Sequence, residues 1–358
     1  MTTVEVTLDP PYQVTIGAGA LARAAEHCAR YSKVALLADE RVAPLYGSGL
    51  GPLAEAPRLE ITAGEGCKRF GPLAQVLDFL AEHALDRQSA LVTLGGGTVG
   101  DLGGLAASLY KRGIAVVHLP TTLLSQVDAA VGGKTAINLD AGKNLAGTFH
   151  QPSAVFADTT TLTTLDDSDW RSGMGEVVKT ALIAGEAELA LLEQSAERLR
   201  ARDPEATHAI VAMCVRTKAG VVASDPTEQG LRRSLNLGHT FAHGIEHAAG
   251  YDAVPHGIAV AVGLRMAVRA SAALGLIEAP ELELRVTELL GRLDLPSSLA
   301  ELEALGAAPA PESVVAGMAH DKKGAVGAPE FVLPVRPGEM RLGVPIEAPR
   351  LLEILLLG

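Results

Sequence analysis

Residues 89–104 read SALVTLGGGTVGDLGG, a short apolar run that ends in three consecutive glycines. LAASLY follows directly, so the glycines stand where a strand turns into a helix. Glycines at such a turn let the backbone approach a ligand closely, and the N–H groups at the start of the helix attract an anion. The turn therefore predicts either a phosphate-binding loop or, more simply, a tight connection between two elements.

Gly95, Gly97 and Gly100 satisfy the spacing GxGxxG of dinucleotide sites. However, the turn follows the third apolar run rather than the first, and no acidic residue stands about 20 positions further on, as a Rossmann fingerprint requires. The sequence therefore indicates a variant nucleotide site, in which Asp39 or Glu65 is the candidate partner of the ribose.

The first 160 residues alternate short apolar runs with helical patterns. Besides the run before the glycines, they contain KVALLAD (33–39), RLEIT (58–62), IAVVHLP (114–120) and AVFAD (154–158). This alternation predicts a mostly parallel sheet packed against helices. From Leu165 onward the apolar residues follow a helical period, although EFVLPV (330–335) indicates a late strand or hairpin. We predict an α/β domain at 1–160 and an all-α domain at 161–358.

Composition excludes several classes of protein. Hydrophobic residues make up 48% and charged residues 20% of the 358 residues, which excludes a disordered chain. The net charge of -12 leaves no global positive field for nucleic acid or an anionic membrane. Three cysteines without a CxxC pair, no signal peptide and no transmembrane stretch together favour the cytoplasm.

Lysines are few, and their contexts are informative. Only nine of the 30 basic residues are lysines, and most stand in Gly-, Asn-, His- or Asp-rich contexts. An ammonium is a compact charge suited to phosphate. The set therefore favours an anion-binding site over accidental composition.

A histidine-rich segment, LNLGHTFAHGIEH (235–247), indicates a metal site. Asn236, His239 and His243 have the spacing i, i+3, i+7, which predicts one face of one helix. Two histidines four residues apart can bind one metal ion, and His256 offers a further imidazole. Core or capping histidines are the simpler alternative.

A carboxylate is the third ligand that such a site needs. Glu176, in SGMGEVVK (172–179), is the best candidate because it interrupts an otherwise apolar helix. The alternative is an ordinary i, i+3 ion pair with Lys179.

Six long motifs carry a resemblance to a known family. They are GGGTVGDLGGLAASLYKRGI (95–114), HLPTTLLSQVDAAVGGKTAINLDAGKNLAGTFHQP (118–152), SGMGEVVKTALI (172–183), RRSLNLGHTFAHGIEH (232–247), VPHGIAVAVGLRMA (254–267) and HDKK (320–323). In content and order they resemble 3-dehydroquinate synthase, a family of sugar phosphate cyclases, from about Val34 to Val335.

The resemblance implies a Rossmann-like NAD domain, a helical metal-binding domain, a cleft between them and a homodimer. The implied substrate is a sugar phosphate, 3-deoxy-D-arabino-heptulosonate 7-phosphate, which becomes 3-dehydroquinate and phosphate in the second step of the shikimate pathway. Carbon 5 is transiently oxidised by NAD, phosphate is eliminated, the ketone is reduced, the ring opens, and an intramolecular aldol reaction closes the product.

The resemblance also assigns the metal ligands. Glu176, His239 and His256 match the positions that hold zinc or cobalt in the family. His243, which the spacing alone allows as a ligand, matches a substrate-site histidine instead.

Substrate and cofactor positions are carried over in the same way. The matched substrate positions are Asp128, Lys134, Asn144, Lys179, Lys218, Arg232, Asn236, His243, one of Lys322 and Lys323, and Arg112 from the other subunit. The matched NAD positions are Asp39, Ala63, Gly64, Glu65, Gly66, Cys67, Lys68, Gly97, Thr98, Val99, Gly100, Asp101, Thr121, Thr122, Lys134, Lys143, Thr161, Leu162, Thr163 and Thr164.

Two other enzyme classes are alternatives. A 2-deoxy-scyllo-inosose or valiolone synthase shares the NAD and metal sites, but His243, Lys218 and Arg232 favour a substrate that carries a carboxylate. A metal-dependent glycerol-1-phosphate-type dehydrogenase shares the two-domain plan but does not need GGKTAIN (132–138). A non-catalytic binding protein would not need the three metal-ligand positions.

Overall fold

The computed structural model describes residues 1–250, 253–277, 281–320 and 328–356. They form two compact units: Met1–Leu165 with Lys218–Thr227, and Asp166–Thr217 with Glu228–Gly358. The first unit therefore extends five residues beyond the expected end at residue 160. It also includes a short later segment, which no local sequence pattern indicated.

The first unit is built on a seven-stranded sheet. Its strands are β1 (Thr2–Val6), β2 (Tyr12–Ile16), β3 (Val34–Asp39), β4 (Arg58–Ile61), β5 (Ala90–Gly95), β6 (Ala115–Pro120) and β9 (Ala154–Ala157). They lie side by side in the order β1-β2-β9-β6-β5-β3-β4. Only β1 and β2 pair antiparallel. The remaining pairs are parallel, so the predicted mostly parallel sheet is confirmed. Its central strands are apolar on both faces, and both faces are covered, as parallel sheets require.

Four helices accompany this sheet: α1 (Ala24–Cys28), α2 (Ala43–Tyr46), α3 (Phe70–Glu82) and α4 (Gly97–Leu109). A separate hairpin, β7 (Lys134–Leu139) and β8 (Gly142–Phe149), packs against α4. The apolar pattern did not predict this hairpin, because β8 is largely exposed and lacks a buried face.

The second unit is mainly helical. Its helices are α5 (Asp167–Ala184), α6 (Glu186–Arg200), α7 (Pro204–Ser224), α8 (His239–Ala249), α9 (His256–Ala273), α10 (Leu282–Arg292), α11 (Pro311–His320) and α12 (Ala348–Leu356). The last turns of α7 belong to the first unit. The expected late strand is β10 (Glu330–Arg336), which pairs antiparallel with β11 (Glu339–Pro345).

Glycine contacts bring α5, α8 and α9 unusually close together. A Cβ on Gly175 of α5 would lie 1.9 Å from the carbonyl oxygen of Gly257 on α9. A Cβ on Gly263 of α9 would lie 2.3 Å from the carbonyl oxygen of Gly238, which precedes α8. Only a residue without a side chain permits these approaches. The three helices therefore pack backbone against backbone.

The same glycine contacts correct one prediction. Gly238 has a left-handed backbone (φ 77°) and is the residue before α8, so the helix starts at His239. Asn236 instead ends a separate 3-10 turn, Leu231–Asn236. Only His239 and His243 share the helix, and the prediction that Asn236 lies on the same helical face was wrong.

No helix in the four described stretches has the length and apolarity that crossing a bilayer requires. Cys28, Cys67 and Cys214 are all buried.

The glycine contact between α5 and α9 predicts a sharp difference between two substitutions. We expect Gly175→Ala to lower the free energy of unfolding by about 3 kcal/mol, because its methyl group collides with backbone that cannot move aside. Gly291→Ala on α10 is the matched control, since its Cβ would meet nothing within 4 Å. This control should raise stability by about 0.5 kcal/mol. Urea denaturation of both variants measures the difference, and equal midpoints would contradict the packing argument.

Candidate metal and nucleotide sites

Three side chains of the second unit form a cluster suited to a metal ion. Glu176 lies on α5, His239 begins α8 and His256 begins α9, and one donor atom from each lies within 4.8 Å of the others. Glu176 is fully buried, and neither of its oxygens has a hydrogen bond of ordinary geometry to a described residue. A buried carboxylate that faces two imidazoles, with the Lys179 ammonium in contact with one of its oxygens, offers a donor set that fits a divalent cation.

Each ligand position follows or precedes one of the close-packed glycines. Glu176 follows Gly175, His239 follows Gly238, and His256 precedes Gly257. The backbone contacts therefore set the distances between the ligands directly. The Nε2 atoms of His239 and His256 lie 3.6 Å and 3.4 Å from the same oxygen of Glu176.

Electrostatics give the three groups different protonation states. Burial would raise the pKa of the Glu176 carboxyl, but Lys179, which contacts it, and the histidines hold that pKa well below its usual range. Burial and the Lys179 charge lower the pKa of His239 to about 3. Burial also opposes the charged form of His256, yet Glu176 and Glu246 raise its pKa to about 10. At neutral pH the cluster without a cation therefore holds a proton on His256.

Of the other predicted residues in the second unit, one has ring contacts with this cluster. His243 lies one turn after His239, with ring centroids 5.7 Å apart, and its centroid is 6.3 Å from that of His256. Arg232 is almost fully buried. The Asn236 amide donates to Glu228 over 3.0 Å.

In the first unit, the glycine turn joins β5 directly to α4, as the sequence indicates. No side chain caps the start of α4, so its first N–H groups are available to an anion. The turn packs tightly, since a Cβ on Gly95 would lie 2.9 Å from Val99 and one on Gly97 would lie 3.1 Å from Ala129. Side chains at these positions would collide with these neighbours.

Lys68 is buried beside this helix and links two other predicted residues. Its ammonium lies 2.6 Å from the Asp101 carboxylate on α4 and also contacts the Asn144 side chain of β8. Asn144 adopts a left-handed backbone (φ 56°) and donates its N–H to Asn138 over 2.9 Å. Burial raises the pKa of Asp101, although the Lys68 charge opposes the change.

Asp39 and Glu65, the two candidates for the ribose, have different partners. Asp39 ends β3, is almost fully buried, and accepts hydrogen bonds from the backbone and guanidinium of Arg41. Glu65 accepts a 2.6 Å hydrogen bond from the Asn138 amide. The structure places Asp39 at the end of β3 and Glu65 after the end of β4, and these two strands pair in parallel.

The remaining threonines predicted for NAD lie in two short segments. Thr121 is buried after β6, and the Thr122 hydroxyl accepts from the Ser125 N–H. In the 3-10 turn Thr159–Thr164, the buried Gln126 amide donates to Thr161, and Thr164 bonds to Tyr46.

Thr98, another residue predicted for NAD, has two contacts with the segment 63–68. Its hydroxyl accepts from the Gly64 N–H, and its carbonyl accepts a weak hydrogen bond from the Cys67 thiol.

Asp128 and Lys218 meet within the first unit. Asp128 belongs to a π-helical turn, Ser125–Ala129, a geometry frequent at functional sites. The Lys218 ammonium lies 2.6 Å from the Asp128 carboxylate and 2.7 Å from its carbonyl oxygen. This pairing lies within the first unit, which includes the segment that begins at Lys218.

Lys134 begins β7 and is exposed, and Lys143 is half-buried on β8. Lys111 and Arg112 both have left-handed backbones just after α4. Lys322 and Lys323 lie outside the described residues.

Sequence reasoning missed two polar residues in these sites. Asn138 bonds both Glu65 and Asn144, and its place at the end of the GGKTAIN motif (132–138) was the available signal. Glu246 lies beside His256, 3.4 Å from its Nδ1. Its spacing of seven residues from His239 places it on the same face of α8 and was the available signal.

Two family models match the chain. One described as 3-dehydroquinate synthase N-terminal matches residues 58–172, and one described as 3-dehydroquinate synthase C-terminal matches residues 173–324. Together they span most of the chain and include Glu176, His239 and His256, the three residues of the candidate metal site.

Curated relatives agree with the family models. The 3-dehydroquinate synthase of Paracoccus denitrificans is 44% identical over 333 residues, which cover 90% of this chain and 89% of that protein. The 3-dehydroquinate synthase of Symbiobacterium thermophilum is 41% identical over 338 residues, 92% of each chain.

Solved structures share the fold. A 2-epi-5-epi-valiolone synthase from Streptomyces hygroscopicus, with NAD+ and Zn2+ bound, has a TM-score of 0.84 at 28% identity and covers 97% of this chain and 96% of its own. A 2-deoxy-scyllo-inosose synthase has a TM-score of 0.86 over the whole of both chains, but at 24% identity this concerns the fold alone. The family models and curated relatives confirm the resemblance that the motifs indicated: the chain belongs to the 3-dehydroquinate synthase family.

Proposed function

We propose that the protein is a 3-dehydroquinate synthase that uses NAD and a divalent cation. It converts 3-deoxy-D-arabino-heptulosonate 7-phosphate to 3-dehydroquinate and phosphate, in the second step of the shikimate pathway. The observation that carries this proposal is the buried cluster of Glu176, His239 and His256 in a chain 44% identical to a curated enzyme of this name. The reaction is a lyase reaction without net oxidation.

The chain offers residues for both cofactors. Glu176, His239 and His256 would hold zinc or cobalt, while the glycine turn before α4, with Lys68 and Asp101, would hold NAD. When bound, NAD would supply a hydride acceptor and donor for carbon 5, and the cation would supply a Lewis acid for the substrate hydroxyls.

Charged side chains of the chain then bind and orient the substrate. In this proposal Lys218 holds the Asp128 carboxylate by an ion pair and directs it towards the reacting hydroxyls. Lys179, whose ammonium contacts Glu176, brings a positive charge to the edge of the cation site. Arg232, which is buried, has the planar donor geometry that a carboxylate needs. Lys134 and Asn144 are assigned to the phosphate.

The proposal includes a homodimer in the cytoplasm, with Arg112 of one subunit reaching the substrate phosphate of the other. The support is the family membership and the strained backbone of Lys111 and Arg112. A left-handed conformation at two successive non-glycine residues costs energy, and such strain is concentrated at functional sites.

One assay separates this function from its alternatives. Purified protein with catalytic NAD, zinc or cobalt and 3-deoxy-D-arabino-heptulosonate 7-phosphate should release phosphate and form 3-dehydroquinate without lasting NADH absorbance. Cyclisation of a different sugar phosphate instead would indicate a related cyclase. Stoichiometric NADH from glycerol 1-phosphate would indicate a dehydrogenase, and either result would overturn the proposal.

The proton on His256 predicts how cation binding depends on pH. Because the raised pKa of His256 is about 10, its proton must leave when the cation binds. His239 and Glu176 lose no proton near neutrality, since their pKa values are low. Between pH 7 and 8.5 we expect the release of about one proton per cation and an affinity that rises about tenfold per pH unit.

Calorimetric titration of zinc in buffers of different ionisation enthalpy measures the number of protons released. NAD titrated in the same buffers is the control, because its proposed site is in the other unit. Zinc affinity that does not change with pH would contradict the assigned protonation states.

Mixed dimers test the role of Arg112 across the subunits. One subunit carries Arg112→Ala, the other His239→Ala, and different affinity tags isolate the mixed species. If Arg112 acts in the partner's site, one of the two sites is complete and the activity is about half that of the wild type.

The reciprocal mixed dimer is the control. It joins a wild-type subunit to one with both substitutions, so that Arg112 acting across the interface leaves no complete site. Half activity in this control, with none in the first mixture, would assign Arg112 to its own subunit's site.

A further inference from the structure

His239 and His256 point the same ring nitrogen at Glu176, but their other ring nitrogen faces different groups. In both, Nε2 faces Glu176 and Nδ1 faces away from it. The Nδ1 of His239 lies 3.2 Å from the carbonyl oxygen of Leu237. The Nδ1 of His256 instead lies 3.4 Å and 3.5 Å from the two carboxylate oxygens of Glu246. One imidazole therefore faces a neutral acceptor and the other a charged one.

These outer partners determine which ring nitrogen carries the proton. A neutral histidine has one N–H and one lone pair, and the N–H points to the better acceptor. A carbonyl or carboxylate at Nδ1 therefore leaves the lone pair of Nε2 directed at Glu176. A carboxylate also makes the ring a stronger donor to a cation than a neutral carbonyl does.

Glu246 occupies a position that packing alone would give to an apolar residue. Its exposure is 5%, and the neighbouring Ile245 and Ala242 on α8 are fully buried. An ionised carboxylate at such a depth is costly unless charged or hydrogen-bonding groups compensate it. Its two contacts with His256 supply one such compensation.

Helix geometry supports the same role. Glu246 follows His239 by seven residues, so α8 presents both side chains on one face, two turns apart. That face lies against α9, which begins at His256. One helix therefore supplies a ligand and the partner that orients a ligand on the next helix.

We propose that Glu246 is a positioning residue that holds His256 with Nδ1 protonated and Nε2 directed into the cluster, and thereby sets the affinity for the cation. This inference rests on the proposed cation site. Glu246 does not itself contact the cation or the substrate.

The test compares Glu246→Gln, Glu246→Asp and Glu246→Ala with the wild type. Zinc affinity, measured by competition with a chelator, should fall about 10- to 100-fold in the glutamine and alanine variants. The aspartate variant keeps the charge but shortens the side chain, so its loss should be smaller. NAD affinity should stay at the wild-type value in all three.

A second readout separates positioning from general loss of structure. Nitrogen-15 NMR of the histidine rings in the zinc-loaded protein reports which ring nitrogen of His256 binds the metal. We expect Nε2 in the wild type and a mixture of both nitrogens in Glu246→Gln. Glu283→Gln is the matched control, because Glu283 pairs with Arg269 instead of a histidine. Its zinc affinity and ring spectrum should match the wild type.

The outcomes distinguish this inference from the proposed function. If the wild type binds zinc and Glu246→Gln binds it equally tightly with unchanged ring signals, the positioning role is wrong and the cation site stands. If the wild type does not bind zinc, both the cation site and the role of Glu246 are overturned. Equal losses in Glu246→Gln and Glu283→Gln would assign the effect to stability alone.

Discussion

The close contact between the backbones of α5, α8 and α9 is the constraint on which the helical unit depends. Gly175 meets Gly257, and Gly238 meets Gly263, at distances that leave no space for a side chain. Each metal-ligand position is the immediate neighbour of one of these glycines. The ligands therefore have little freedom to move apart, because the backbone that carries them is already in contact. Preorganisation of this kind reduces the cost of bringing a buried carboxylate and two imidazoles together.

The three residues of the buried cluster, Glu176, His239 and His256, differ in their protonation states. The positive charge of Lys179 keeps Glu176 ionised, and burial together with that charge keeps His239 neutral, while two carboxylates retain a proton on His256. A divalent cation would replace that proton with a larger positive charge between the same groups. The arrangement explains how a carboxylate without ordinary hydrogen bonds persists in the interior. It also gives the outer carboxylate, Glu246, a function that the ligands alone cannot perform.

The first unit meets a different requirement, which is to present backbone N–H groups to an anion. A parallel sheet places the ends of β3, β5 and β6 at one edge, and α4 starts there without a side-chain cap. Lys68, Asp101 and Asn144 then connect the helix to the β7–β8 hairpin. The hairpin was not predicted from apolar periodicity, because its register is held by these polar contacts and by α4 rather than by a buried face of its own.

Local sequence was sufficient for the mostly parallel sheet, the glycine turn and the helical second half, and the family motifs singled out Glu176, His239 and His256 as a candidate ligand set. These features depend on periodicity, turn chemistry and motifs, which are all properties of residues close together in the sequence. It was not sufficient for the start of α8 after Asn236, the transfer of Lys218 to the first unit, or the contact between Glu246 and His256. Those depend on glycine contacts, an ion pair and a hydrogen bond between elements distant in sequence, and such contacts exist only once the helices and strands have packed.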